Sequence, residues 1–90
     1  MSQVAARLRR SRDELAVVEE QLAHLAGEAD DARIRALVSE TPQAAKEHAQ
    51  AARHAEAMER RRDELRADLV ELERRQDELL DQFTAGQEAG

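Results

Sequence analysis

Residues 44–83 decide the fold, and they read AAKEHAQAARHAEAMERRRDELRADLVELERRQDELLDQF. One stripe of residues recurs there at alternating steps of three and four: Ala44, His48, Ala51, Ala55, Met58, Arg62, Leu65, Leu69, Leu72, Gln76, Leu79 and Phe83. This 3.5-residue period is typical of a coiled-coil helix. Because Pro42 precedes the stripe and Gly86 follows it, we predict one long helix over residues 42–85 and a frayed tail over 86–90.

A second stripe with the same period lies upstream, at Val4, Leu8, Ser11, Leu15, Val18, Leu22 and Leu25. Beyond Gly27 the same frame selects only small residues, namely Ala29, Ala32, Ala36 and Ser39. The large aliphatic residues Ile34, Leu37 and Val38 fall on nearly the opposite face. Two interpretations follow: the helix is kinked or broken near residues 27–31 and restarts in a new phase, or this end carries a second apolar face. We favour the first, which would bring Ile34 and Leu37 towards the alanines that begin the long helix.

The segment Ser39-Glu40-Thr41-Pro42 separates the two stripes. Proline disfavours a helical residue before it and suits the first position of a helix, and threonine is a good N-cap. We therefore predict a first helix over about residues 3–39, a turn at about 39–42 and the long helix from 42. The predicted fold is all-α, a single domain over residues 1–90 that forms an elongated antiparallel helical hairpin, a two-helix coiled coil.

Charges that flank the stripes favour one register of this hairpin. If Leu15 faces Leu72, then Leu8 faces Leu79 and Val4 faces Phe83. The flanking pairs are all opposite in sign: Glu14–Arg75, Glu28–Arg61, Arg12–Glu73 and Glu19–Arg66. A slide of one heptad, which sets Leu8 against Leu72, makes all four flanking pairs alike in charge. We predict the first register, although it centres the turn near Gln43 rather than at the capping signal.

Composition narrows the classes of function. The 90 residues include 38% charged and 1% aromatic residues, with a formal net charge of −6, so nucleic acid and anionic membranes are poor partners by default. No run of residues is apolar enough for a transmembrane helix or a secretory signal, so we expect a cytoplasmic protein. Arginine supplies all but one of the 14 basic residues, which suggests a GC-rich bacterial genome.

No pattern points to catalysis, a metal, a cofactor or a small-molecule ligand. His24, His48 and His54 share no three- or four-residue spacing, and no glycine-rich phosphate loop is present. We therefore expect a non-enzymatic protein without a cofactor. Asp30 and Asp31 lie towards the tip; some hairpin factors that enter the RNA polymerase secondary channel also carry acids at a coiled-coil tip, and the likeness is architectural only.

The expected function is protein–protein interaction, as a small adaptor or regulator. The predicted interaction site combines Ile34, Leu37 and Val38 with Ala45 and Ala52, members of the alanine-rich start of the long helix. The partner is another protein or a second copy, in a homodimer that could form a four-helix bundle. The alternative is a nucleic-acid or transcription-machinery factor that uses its arginine clusters, at Arg7, Arg9, Arg10 and Arg12 and at Arg60, Arg61 and Arg62.

Overall fold

A computed structural model describes residues 2–89. Over these residues the chain forms helix α1 (Ser2–Ser39) and helix α2 (Pro42–Ala89), with no strand. The two helices pack against each other as an antiparallel hairpin that measures 74 × 14 × 14 Å. The predicted all-α, elongated hairpin is confirmed.

Two residues, Glu40 and Thr41, make the turn between the helices. Glu40 has a left-handed backbone with φ of 51°, and its N–H donates to the Ala36 carbonyl oxygen at 3.1 Å. The Thr41 hydroxyl oxygen accepts from the Ala44 N–H at 3.1 Å, so Thr41 is the N-cap of α2 and Pro42 is its first residue, as predicted. The left-handed residue ends α1 in the manner usually assigned to glycine.

Glycine at position 40 should therefore stabilise the hairpin. A side chain in the left-handed region costs roughly 1 kcal/mol that glycine avoids, so we expect Glu40→Gly to raise the free energy of unfolding by up to about 1 kcal/mol. Urea denaturation measures the change. Glu56→Gly, at an exposed position inside α2, is the matched control and should lower stability by about 1 kcal/mol. A loss of stability in both variants would contradict the capping role of Glu40.

Both helices are longer or more continuous than their sequences suggest. Helix α1 runs without a break through residues 27–31, and a kink there stays a prediction. Helix α2 continues past the predicted end at residue 85 to Ala89. Gly86 does not cap α2, because no glycine among the described residues has a positive φ.

The short turn sets the register of the hairpin. Counted outward from Glu40, the helix bounds set Ala36 level with Ala44, Ala32 with His48, Leu15 with Leu65 and Leu8 with Leu72. Burial agrees, because Leu8 is 2% exposed and forms a cluster with Leu69 and Leu72, against which Val4 and Leu15 pack. The predicted register, with Leu8 against Leu79, is wrong by one heptad. The register therefore follows the capped turn at Thr41 and not the flanking charges.

Flanking ion pairs still form, because arginine reaches along the seam. Arg12 pairs with Glu73 at 3.4 Å and Glu19 with Arg66 at 2.9 Å, two pairs predicted from the sequence. In each of them the α2 residue lies five positions farther from Glu40 than the α1 residue. Side chains tilt towards the N-terminus of their own helix, so in an antiparallel pair these two side chains lean towards each other.

The other two predicted pairs are replaced. Glu14 pairs with Arg61 rather than with Arg75, and Arg75 lies 3.4 Å from Glu71 on its own helix. Glu28 contacts His24 at 3.1 Å instead of Arg61. These differences follow from the register, which places the predicted partners one heptad apart.

Candidate interaction surfaces

The first candidate surface is the tip patch, which we define as Ile34, Leu37 and Val38 on α1. These side chains are 51%, 66% and 79% exposed. Leu37 and Val38 follow Ile34 by three and four residues, so all three side chains share one face of the helix. The patch therefore presents three large aliphatic side chains to solvent near the turn.

The tip patch is exposed because the heptad frame of α1 continues unchanged to the turn. Ala32 is 3% exposed and Ala44 is buried, so alanines close the seam at this end. Ile34 and Leu37 do not pack towards α2, since both side chains are more than half exposed. An unbroken helix keeps its frame, and a frame that puts alanine in the seam turns the larger residues outward.

The two α2 members of the predicted site lie elsewhere. Ala45 is exposed and Ala52 is half-buried, and each directly follows a seam residue, so both border the seam on α2. The tip patch lies on the outer side of α1. The structure thus brings three of the five predicted residues together and places the other two on the second helix.

A second surface, which the sequence analysis missed, is the C-terminal overhang, defined as residues 80–86 of α2. Helix α2 has 48 residues and α1 has 38, so α2 extends about 15 Å past the start of α1. Leu80 and Phe83 are 42% and 58% exposed there. The sequence signal for this surface is Thr41-Pro42, because the start of α2 at Pro42 sets the register. In that register Val4 does not reach Phe83, so Phe83 has no residue of α1 opposite it.

A pair of hydrogen-bonded ion clusters lies on the hairpin surface. The Glu14 carboxylate accepts a hydrogen bond from Arg61 and raises the pKa of that guanidinium. Arg74 donates to Glu71 at 2.7 Å and lowers the pKa of its carboxyl group. All four side chains are largely exposed, so these contacts contribute little to stability and act mainly to keep the helix flanks polar.

Neither histidines nor grooves form a chemical site among residues 2–89. His48 is half-buried in the seam, and no group of three histidine, aspartate or glutamate side chains in this part of the chain is placed to hold a metal. The grooves beside the seam are open to solvent; one is lined by Val17, His24, Leu25 and Met58 among others. Such grooves suit contact with another helix better than enclosure of a small molecule.

The chain matches no protein-family model, no curated protein and no solved structure in the comparisons made. Within the described range, neither helix contains a segment long and apolar enough to cross a membrane. The surfaces of the hairpin are therefore the features from which a function can be proposed.

Proposed function

We propose that the hairpin is a non-enzymatic protein-interaction module that binds another protein or a second copy through the tip patch. The observation that carries this proposal is the exposure of Ile34, Leu37 and Val38 above a seam that alanines already fill. The proposed setting is the bacterial cytoplasm expected from the composition.

Burial of the tip patch would supply the binding free energy. Full burial of a valine, leucine or isoleucine side chain contributes about 1.5–3 kcal/mol. Three such side chains on one face match the anchors that one helix presents to a groove or to a neighbouring helix. Because these side chains are exposed in the isolated hairpin, they add little to its folding stability, which favours a role in binding.

Charged residues surround the tip patch and suit the rim of an interface. Arg33 pairs with Asp30 at 3.6 Å, and Asp31 and Arg35 are exposed beside it. An apolar centre with a polar rim is the usual arrangement of a protein–protein contact. Both signs of charge are present, so the rim favours an oriented partner over non-specific adsorption.

The test replaces two members of the patch. Ile34→Lys with Leu37→Lys should abolish capture of a partner protein from extracts of the native cell, and any side-by-side self-association, while helicity measured by circular dichroism stays unchanged. Lysine has good helix propensity and suits the C-terminal end of α1, so the fold should survive.

The matched control is Val70→Lys, which changes an exposed aliphatic residue on the other helix, outside the patch and outside the grooves beside the seam. The control should bind as the unchanged protein does. If the double variant captures the same protein and has the same mass in solution, the tip patch is not the interface.

The second candidate function is binding to nucleic acid or to the transcription machinery. Exposed Arg7, Arg9 and Arg10 at the start of α1 favour it, and the net charge of −6 opposes it. A salt-sensitive mobility shift with DNA or RNA would support this candidate. No shift at low salt would remove it, and would leave the tip-patch proposal unaffected.

A further inference from the structure

The outer face of α1, which points away from α2, holds all the large hydrophobic side chains that are exposed on this helix within residues 2–39. Val17 is 53% exposed there and lies three heptads before Val38 of the tip patch, so the two share one line along the helix. Ala23 and Gly27 are exposed between them. Large aliphatic side chains therefore lie at both ends of this face, and small residues lie in its middle.

This pattern is complementary to itself if a second α1 lies antiparallel on the outer face, with a two-fold axis between residues 28 and 29. Ile34 of each copy then faces Ala23 of the other, one turn from Gly27, so a large side chain meets small ones. Val17 of each copy lies beside Val38 of the other. The two-fold axis makes each of these contacts twice.

Charged residues distinguish this register from its neighbours. A slide of one heptad that moves the axis towards the start of α1 sets Glu20 of each copy against Asp30 of the other, in the line of contact where like charges lose water. The opposite slide sets Asp31 against Asp31 and Arg33 against Arg33 across the axis. Both neighbouring registers therefore bring like charges together.

In the register between them, Asp31 of each copy lies beside His24 of the other, whose ring N–H can donate to the carboxylate. Asp30 faces a glycine and keeps its ion pair within α1 at 3.6 Å. Glu20 faces Leu37 near the end of the contact, so its carboxylate reaches water. Charge and side-chain size thus favour the same register.

We infer that the outer face of α1 binds the same face of a second copy in antiparallel orientation, so that the two tips lie side by side. On the far edge Glu19 approaches Glu40 of the second copy, but an ion pair with Arg66 at 2.9 Å holds Glu19 towards α2. This inference rests on the proposed function, to which it adds the identity and orientation of the partner and the assignment of Val17 to the binding surface.

Self-association is the first measurement. The mass measured by sedimentation equilibrium should rise from 10.1 kDa towards twice that value as the protein concentration increases. About 12 residues separate the axis from the turn in each copy, so the two tips overlap over about 36 Å. The longest dimension measured by small-angle scattering should therefore grow from 74 Å to about 110 Å.

Disulfide cross-linking tests the register, because the chain contains no cysteine of its own. Ala23→Cys mixed with Ile34→Cys should form a disulfide between the two variants on oxidation, since these positions face each other. Ala16→Cys mixed with Ile34→Cys is the control and should not, because Ala16 lies about 10 Å along the helix from the facing position. Equal cross-linking in the two mixtures overturns the register.

Val17→Lys tests the residue that this inference adds to the binding surface. We expect it to weaken self-association about tenfold or more, because the contact with Val38 is lost twice, while Val70→Lys on α2 associates as the unchanged protein does. Equal association of both variants, a dimer that stays close to 74 Å long, or a protein that stays monomeric at millimolar concentration overturns the inference. Capture of a different protein through Ile34 and Leu37 by such a monomer would still support the proposed function.

Discussion

Replacing Leu8 by alanine should lower the free energy of unfolding by about 2–5 kcal/mol. Leu8 is the most deeply buried large side chain near the base of the hairpin, at 2% exposure, and it packs with Leu69 and Leu72. A two-helix structure buries only one stripe from each helix, so a single leucine supplies a large share of the core. Urea denaturation followed by circular dichroism measures the loss.

The same experiment on Phe83 decides the register. Phe83→Ala should cost less than about 1 kcal/mol at low micromolar concentration, because the ring is exposed and α1 does not reach it. In the register with Val4 against Phe83, the ring would be part of the core and its loss would cost about 3–5 kcal/mol. A large cost at Phe83 together with a small one at Leu8 would contradict the register described above.

The sequence predicts the architecture well because two independent patterns agree on it. The heptad stripes require two long helices, and Thr41-Pro42 requires a helix to begin there. The hydrogen bond from the Ala44 N–H to Thr41 confirms the second requirement. Both signals are local, so they do not depend on which residues the helices place opposite each other.

The register could not be predicted from the flanking charges, since each exposed ion pair contributes only a few tenths of a kcal/mol. The charge-favoured register would move the turn to Gln43 and leave Thr41 inside a longer loop. That change would sacrifice the N-cap, which contributes about 1 kcal/mol, together with helical residues on either side. The structure keeps the capped turn and still pairs Arg12 with Glu73 and Arg66 with Glu19.

Side-chain tilt explains why the flanking charges predicted the wrong register. Arg12 lies almost opposite Arg66 in the observed register, so residues that face each other directly across the seam have like charges there. Each arginine leans along the seam to a glutamate on the other helix: Arg12 donates to Glu73, and Arg66 donates to Glu19. Each of these glutamates lies seven residues after the opposing arginine on the same helix. Glu19 and Glu73, which favour the predicted register when only directly opposed pairs are considered, therefore also form ion pairs in the observed register.

The sequence left open whether Ile34 and Leu37 fill the tip of the hairpin or face solvent, and the structure exposes both side chains. Alanine buries little apolar area, so the alanines of the heptad frame indicate the seam less strongly than the larger residues Ile34 and Leu37 would. The structure follows the frame, because a continuous α1 cannot turn Ile34 inward without turning Ala32 and Ala36 outward. Periodicity is thus a better guide here than residue size.

An enlarged side chain at Ala32 should therefore destabilise the hairpin, although leucine is the usual residue at such a position. Ala32 is 3% exposed and lies level with His48, in a part of the seam that is otherwise made of alanines. Added atoms would separate the helices near a turn of two residues that allows little movement. We expect Ala32→Leu to lower the free energy of unfolding by about 1–3 kcal/mol.

The control for this change is Ala23→Leu, at an exposed position on the same helix, which should alter stability by no more than about 0.5 kcal/mol. An increase in stability with Ala32→Leu would mean that the helices can separate at the tip at no cost. A tip that opens in this way would let Ile34 and Leu37 turn inward, and the surface proposed for binding would then be part of the core. The sign of the Ala32→Leu effect therefore tests both the close packing at the tip and the exposure on which the proposed function depends.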